Sequence, residues 1–192
     1  NDNYPGVSWS CVDYYGIIKP VHYFVQKSFA PLAAVMLFDR SNLASQEVSL
    51  PVYLLDDCQT LEKEPYQVKV SIYNALLDTV ATHTFNGIGD DNVVKKLGEI
   101  NLNREQTKST MLFFVLDIIK DNKNIYRNYS FPNYEVRPGS IVSMPQTEIK
   151  MERTGNMVTL TNTGKHPAIG VHVEVPEKMD QLIVSENYIW LN

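Results

Sequence analysis

The sequence predicts an all-β protein: an immunoglobulin-like β-sandwich with one short helix ahead of it and the beginning of a second sandwich behind. Three observations predict this. From Leu32 onward the apolar spacing changes from a helical period to strict alternation or short unbroken runs. About seven such stretches fall within roughly a hundred residues, the density of a sandwich rather than of alternating strands and helices. Polar clusters such as Asp-Arg-Ser-Asn, Leu-Leu-Asp and Asp-Asn-Lys-Asn close them, and helix signals vanish.

Taken in order, the chain opens on Asn1 without a starting Met, in a segment holding Tyr4, Trp9, Tyr14, Tyr15 and a tight Pro5-Gly6 turn. It reads as the tail of something larger. After a turn at Gly16, Lys19 to Phe29 is expected to be a helix, because Pro20 suits the first helical turn and Val21, Phe24, Val25 and Ser28 share one face. Pro31 stops it. The expected strands of the sandwich are Leu32 to Asp39, Val48 to Leu55, Tyr66 to Asn74, Val80 to Phe85, Val93 to Leu102, Met111 to Ile119 and Ile125 to Phe131. Val68-Lys69-Val70-Ser71-Ile72-Tyr73 alternates cleanly, so one face meets a core and the other water. Met111 to Leu116 is apolar at every position and is expected to be a central strand covered on both sides. Ile118 to Ile125 forms the last hairpin.

Beyond Phe131 three prolines and a glycine mark a linker or a crossing edge strand. Glu148 to Glu152, Met157 to Asn162, Gly170 to Val175 and Tyr188 to Leu191 then give three or four further strands. They are too few for a whole sandwich, so the second module is expected to be small or cut short.

Composition narrows the function. With 192 residues, 44% hydrophobic and 20% charged, the chain has an ordinary globular composition, and no apolar run approaches a membrane span. A net charge of -5 without a basic block removes the footprint of a nucleic-acid binder. Cys11 and Cys58 have neither metal-binding spacing nor the immunoglobulin Cys-Trp-Cys pattern, and are read as two free, buried thiols. His22, His83, His166 and His172 share no ligand spacing, and the pairs Asp56-Asp57 and Asp90-Asp91 offer too few oxygens for calcium. No Gly-x-Ser-x-Gly elbow occurs, and Gly87 and Gly89 read as a hairpin turn rather than a phosphate cradle. Asn128-Tyr129-Ser130 is a glycosylation sequon by pattern only. The glutamates are scattered and read as solvated surface, where a retaining glycosidase needs two carboxylates about 5 Å apart.

Asn1, Asp2, Pro5, Ser8, Trp9, Ser10, Asp13, Tyr14, Gly16, Lys19 and Pro20, followed by an amphipathic helix, resemble the end of the catalytic barrel in β-mannosidases of glycoside hydrolase family 2. Tyr4 stands where tryptophan is more usual, and the resemblance covers strongly only the first thirty residues. It implies that 1–30 is the end of the catalytic (β/α)8 barrel with its last helix, 31–131 an immunoglobulin-like sandwich and 132–192 a second, truncated sandwich. It also implies a parent that removes terminal β-D-mannosyl residues by double displacement, with both glutamates upstream of Asn1 and no cofactor or metal. The fragment by itself would then be inert, holding no catalytic residue. Asn1 and Asp2 would sit at the carboxyl end of the eighth barrel strand, the rim where such enzymes bind sugar, or would only brace the turn toward Trp9. Trp9 would stack on a pyranose or pack beside the barrel. The region would pack on its own barrel and meet carbohydrate through it, in a periplasmic, secreted or lysosomal setting. Two other readings stand beside this one: a carbohydrate-binding sandwich, and an adhesion or interaction sandwich unrelated to a glycosidase.

Overall fold

In the computed structural model residues 4, 9–38, 47–90, 93–107, 111–131, 144–174 and 184–192 are described. The chain divides into two units, one of residues 30–145 and one that joins residues 1–29 to 146–192.

The first unit is the expected sandwich. Its strands are β1 (Leu32–Met36), β2 (Val48–Asp56), β3 (Pro65–Tyr73), β4 (Thr79–Ile88), β5 (Val93–Leu102), β6 (Phe113–Lys120) and β7 (Lys123–Ser130). One sheet has the order β1-β2-β5 and the other β4-β3-β6-β7, with every neighbouring pair antiparallel. The connections β2 to β3, β4 to β5 and β5 to β6 each change sheet, which is immunoglobulin-like. The difference from the constant-type plan is that the fourth strand lies at the edge of the second sheet rather than the first.

Alternation builds the core as the sequence implies. Leu50, Val52 and Leu54 of β2 face Val68, Val70 and Ile72 of β3 and Phe114, Leu116 and Ile118 of β6 in one buried cluster. β6 is indeed central and buried on both faces: Phe113, Val115 and Asp117 on its outer side are also buried. Asp117 is held there by Arg127 directly across the ladder, whose Nε donates at 2.6 Å and Nη2 at 3.0 Å, and by Asn124 Nδ2 at 2.7 Å. A buried carboxylate is tolerated where such donors satisfy it.

Turn chemistry fixes the hairpins. Asp121 and Asn122 both have positive φ, 52° and 60°, the two-residue loop whose twist matches the strands it joins. After β2 the Asp56 carboxylate accepts from the backbone N–H of Thr60 at 2.8 Å and of Leu61 at 3.0 Å. Leu61 is thereby pressed, fully buried, into the core.

Several details differ from expectation. Cys58 lies exposed in that turn and Cys11 is half-buried, so neither is a core thiol, because local turn bonding and not thiol hydrophobicity sets their places. Gly87 belongs to strand β4, not to a turn: it stands opposite Tyr66, whose ring occupies the space a Cβ would take, 2.4 Å from Tyr66 Oη. A one-turn helix, α2 (Arg104–Thr107), interrupts the all-strand pattern. Asn103 and Gln106 cap it reciprocally, Gln106 N donating to Asn103 Oδ1 at 3.0 Å and Asn103 N to Gln106 Oε1 at 2.9 Å.

Tyr129 of β7, 4% exposed, lies opposite Val115 and near the ring of Phe131. Burial pushes its phenol up to about 12 from 10.0. A folded-state value above the unfolded one leaves stability intact below about pH 10, and stability is lost as the pH climbs toward 12. The expected loss by pH 12 is about 2 kcal/mol, and Tyr129→Phe flattens that limb in urea denaturation followed from pH 9 to 12.

Among the described residues, the second unit contains helix α1 (Pro20–Ser28) and four short strands, β8 (Ile149–Thr154), β9 (Met157–Asn162), β10 (Ala168–Val171) and β11 (Ile189–Leu191). These form two two-stranded sheets, β8-β9 and β10-β11. Among the described residues of this unit, Tyr23, Ala168, Asn187 and Trp190 are buried. The Tyr23 ring lies 5.8 Å from that of Tyr188, which is stacked on His172 at 5.2 Å. Asn187 stands in for a strand neighbour, accepting from Val173 N at 2.7 Å and donating to Val173 O at 3.1 Å. The buried side of α1 is therefore that of Tyr23, and not the expected face of Val21, Phe24, Val25 and Ser28. Among the described residues no helix is long and apolar enough to cross a membrane.

Candidate functional site

Functional side chains gather in three places: the amino-terminal loop, the outward side of α1 and the outer face of the three-stranded sheet. Asn1 and Asp2, the expected rim residues, lie outside the described residues. Trp9 is described and wholly exposed.

From Ser10 the backbone closes on itself. Val12 bridges Ile18, Lys19 N donates to Cys11 O at 3.0 Å, and Gly16 takes φ +87° in the turn between them. Asp13 is spent on this turn, its Oδ1 accepting from Ile17 N at 2.7 Å. The turn displays Tyr14 and Tyr15, half to three-quarters exposed and edge-to-face at 5.2 Å. Aromatic rings are thus presented, while the one carboxylate among them is occupied as a cap.

Helix α1 continues the display. Residues two apart on a helix point roughly 160° away from each other, so with Tyr23 turned inward Val21 and Val25 are turned outward. They are 41% and 39% exposed, and Phe29 one turn further on is 84% exposed. With Ile17, 64% exposed, they make an apolar stripe of a kind that isolated soluble surfaces rarely carry.

On the sandwich, strand β5 contains a bulge. Val52 pairs with Gly98 but the next residue, Tyr53, pairs with Lys96, leaving Leu97 as the extra residue. Residues three apart in a regular strand point to opposite faces; here the bulge turns Lys96 and Glu99 to the same outer face. Gly98 faces inward beneath the Phe85 ring, which fills the place of a Cβ at 2.6 Å. Glu99 accepts from Lys96 Nζ and, at 2.7 Å, from Ser49 Oγ across the ladder. The hydrogen bond from Lys96 and then that from Ser49 hold the Glu99 carboxyl below its ordinary range, and the same bond to Glu99 chiefly holds the Lys96 ammonium above its own. Sequence reading missed this cluster; the only signal for it was the Leu97-Gly98 break in the alternation of β5.

Elsewhere Glu152 pairs with Lys150 at 2.7 Å, Glu174 with His172 at 3.2 Å and Glu62 with Lys120 at 3.9 Å. Among the described residues no group of three or more His, Cys, Asp or Glu is placed to hold a metal ion.

No protein-family model matches the sequence, and no curated protein matches it. Its fold, by contrast, is found among solved glycosidases. The chain is similar over 99% of its length to a β-D-mannosidase from Dictyoglomus thermophilum, with a TM-score of 0.67 and 20% identity. It is also similar over 95% of its length to the exo-chitosanase CsxA from Amycolatopsis orientalis, with a TM-score of 0.60 and 13% identity. The chain spans 22% and 24% of the lengths of those two enzymes. It has the fold of that portion of each.

Proposed function

We propose that this chain is the non-catalytic carboxyl-terminal region of a β-mannosidase-like retaining exo-glycosidase that hydrolyses terminal β-D-mannosyl residues. The observation that carries the reading is the continuous likeness of the whole chain, helix and strands together, to one stretch of a β-D-mannosidase. The barrel-end pattern from Asn1 to Pro20 supports it independently, because that pattern lies in sequence and not in fold.

In this reading residues 1–30 finish the catalytic barrel, 31–131 form a supporting sandwich and 132–192 begin a second one. Helix α1 has two faces with two duties: Tyr23 holds strands of its own unit, and the Val21, Val25 and Phe29 stripe packs on the barrel. Covering three such side chains contributes about 1.5–3 kcal/mol each, which would anchor the region firmly. Trp9 and the Tyr14-Tyr15 pair belong to the same surface, either lining the sugar rim beside Asn1 and Asp2 or sealing the barrel end.

The two catalytic glutamates belong upstream of Asn1. The chain of 192 residues is therefore expected to leave p-nitrophenyl β-D-mannoside untouched, while the protein extended upstream through a barrel releases p-nitrophenol. Turnover by the 192-residue chain, or an upstream sequence that is another sandwich instead of a β/α series, would sink the reading. In the extended protein Val25→Asp is expected to lower stability by about 2–3 kcal/mol, against less than about 0.5 kcal/mol in the 192-residue chain.

A further inference from the structure

The bulged outer face of the β1-β2-β5 sheet has features of a ligand surface that the support role does not use. Across the ladder Val35, Tyr53 and Lys96 form one row, and Pro51 and Glu99 form the next. Leu37, 55% exposed, extends the second row by donating its N–H to Pro51 O at 3.0 Å. An apolar track thus ends at an ion pair with a hydroxyl, Ser49, beside it.

We propose that this face, centred on Tyr53, Lys96, Glu99 and Ser49, binds a neutral pyranose glycan. The chemistry of the patch selects that class. A pyranose has an apolar C–H side and a rim of hydroxyls, and a half-buried tyrosine beside Val35 and Pro51 suits the first. Each hydroxyl both donates and accepts; Lys96 donates and Glu99 accepts, so a vicinal pair is bound by charge-assisted hydrogen bonds at both ends. The patch carries one positive and one negative charge, which cancel, in a chain of net charge -5. Phosphate, uronate and nucleic acid, which need excess positive charge, are disfavoured there.

The bulge is what creates this arrangement. Were Leu97 to take a regular place in the ladder, Lys96 and Glu99, three apart, would stand on opposite faces and no donor-acceptor pair would flank Tyr53. The inference does not rest on the proposed glycosidase role: a support region can lack the site, and an unrelated sandwich can possess it.

The test is a titration of the 15N-labelled 192-residue chain with cellobiose and with β-1,4-mannobiose up to about 50 mM, followed by amide chemical shifts. Shifts confined to the neighbourhood of Ser49, Tyr53, Lys96 and Glu99 are expected, with dissociation constants of about 1–10 mM. Tyr53→Ala is expected to weaken binding at least about tenfold, and Glu99→Gln, an exposed change that leaves the core alone, about fivefold. If Tyr53→Ala does not fold, Glu99→Gln decides. Absence of shifts, shifts elsewhere, or binding unchanged by Glu99→Gln overturns the proposal. So does preferential binding of a sulfated or uronate disaccharide, and so do sugar-independent shifts at these residues that grow with protein concentration, which would make the occupant a second copy of the chain.

Discussion

Phe114→Ala is expected to lower the stability of the sandwich by about 3–5 kcal/mol. Phe114 is fully buried on the inner side of β6, opposite Ile72 of β3, with the Phe38 ring 6.1 Å away. β6 is hydrogen-bonded to β3 on one side and β7 on the other, so neither neighbour can slide inward to fill the space. The cavity stays open and its lining loses contacts outright. Urea denaturation followed by circular dichroism measures the effect, and Tm should fall by more than about 10 °C. Phe29→Ala, on a side chain 84% exposed, is the control and should change stability by less than about 0.5 kcal/mol. A loss below about 1 kcal/mol for Phe114→Ala would mean that the two sheets do not interlock at this residue.

Asp56→Ala is expected to cost about 3 kcal/mol by a different route. The Asp56 side chain is 1% exposed and satisfies two backbone donors, those of Thr60 and Leu61. Alanine leaves the buried N–H of Leu61 and the part-buried N–H of Thr60 without their acceptor, and frees Leu61 from the position that keeps it fully buried. Asparagine keeps one acceptor oxygen but turns an amide toward the other N–H, so Asp56→Asn should fall between alanine and wild type. Hydrogen exchange at the Thr60 and Leu61 amides is the direct measurement: faster by a factor matching the lost stability in Asp56→Ala, and unchanged if the carboxylate were only a surface charge.

The strands were legible because period two is a local property. β5 and β9 (Met157–Asn162) lie where alternation put them, and β6, whose first half from Phe113 to Leu116 is apolar at every position, is the covered central strand. What escaped depended on partners distant in sequence. The face of α1 that is buried was misjudged because Tyr23 meets Tyr188, a contact no periodicity encodes. Gly87 looked like punctuation because the ring that explains it belongs to Tyr66 on the neighbouring strand. α2 did have a local signal, Asn103 and Gln106 three apart, and was passed over among strands. The Lys96-Glu99 pair was hidden for a subtler reason: a strand pattern assigns faces by parity, and one inserted residue reverses parity beyond it. The expected rim residues stood on resemblance alone, and of the three only Trp9 is among the described residues, where it is exposed.

One unit takes its helix from before the sandwich and its strands from after it, and this orders events during translation. Every strand of the sandwich has been synthesised by Ser130, but Tyr23 must wait until Tyr188 emerges, roughly 3–12 s later at ordinary elongation rates. A nine-residue helix does not persist by itself for that time. Until then the Tyr23 side of α1 lacks the strands of its own unit although every strand of the sandwich has been made, and it is this side of the helix for which a chaperone that grips short apolar peptides would compete.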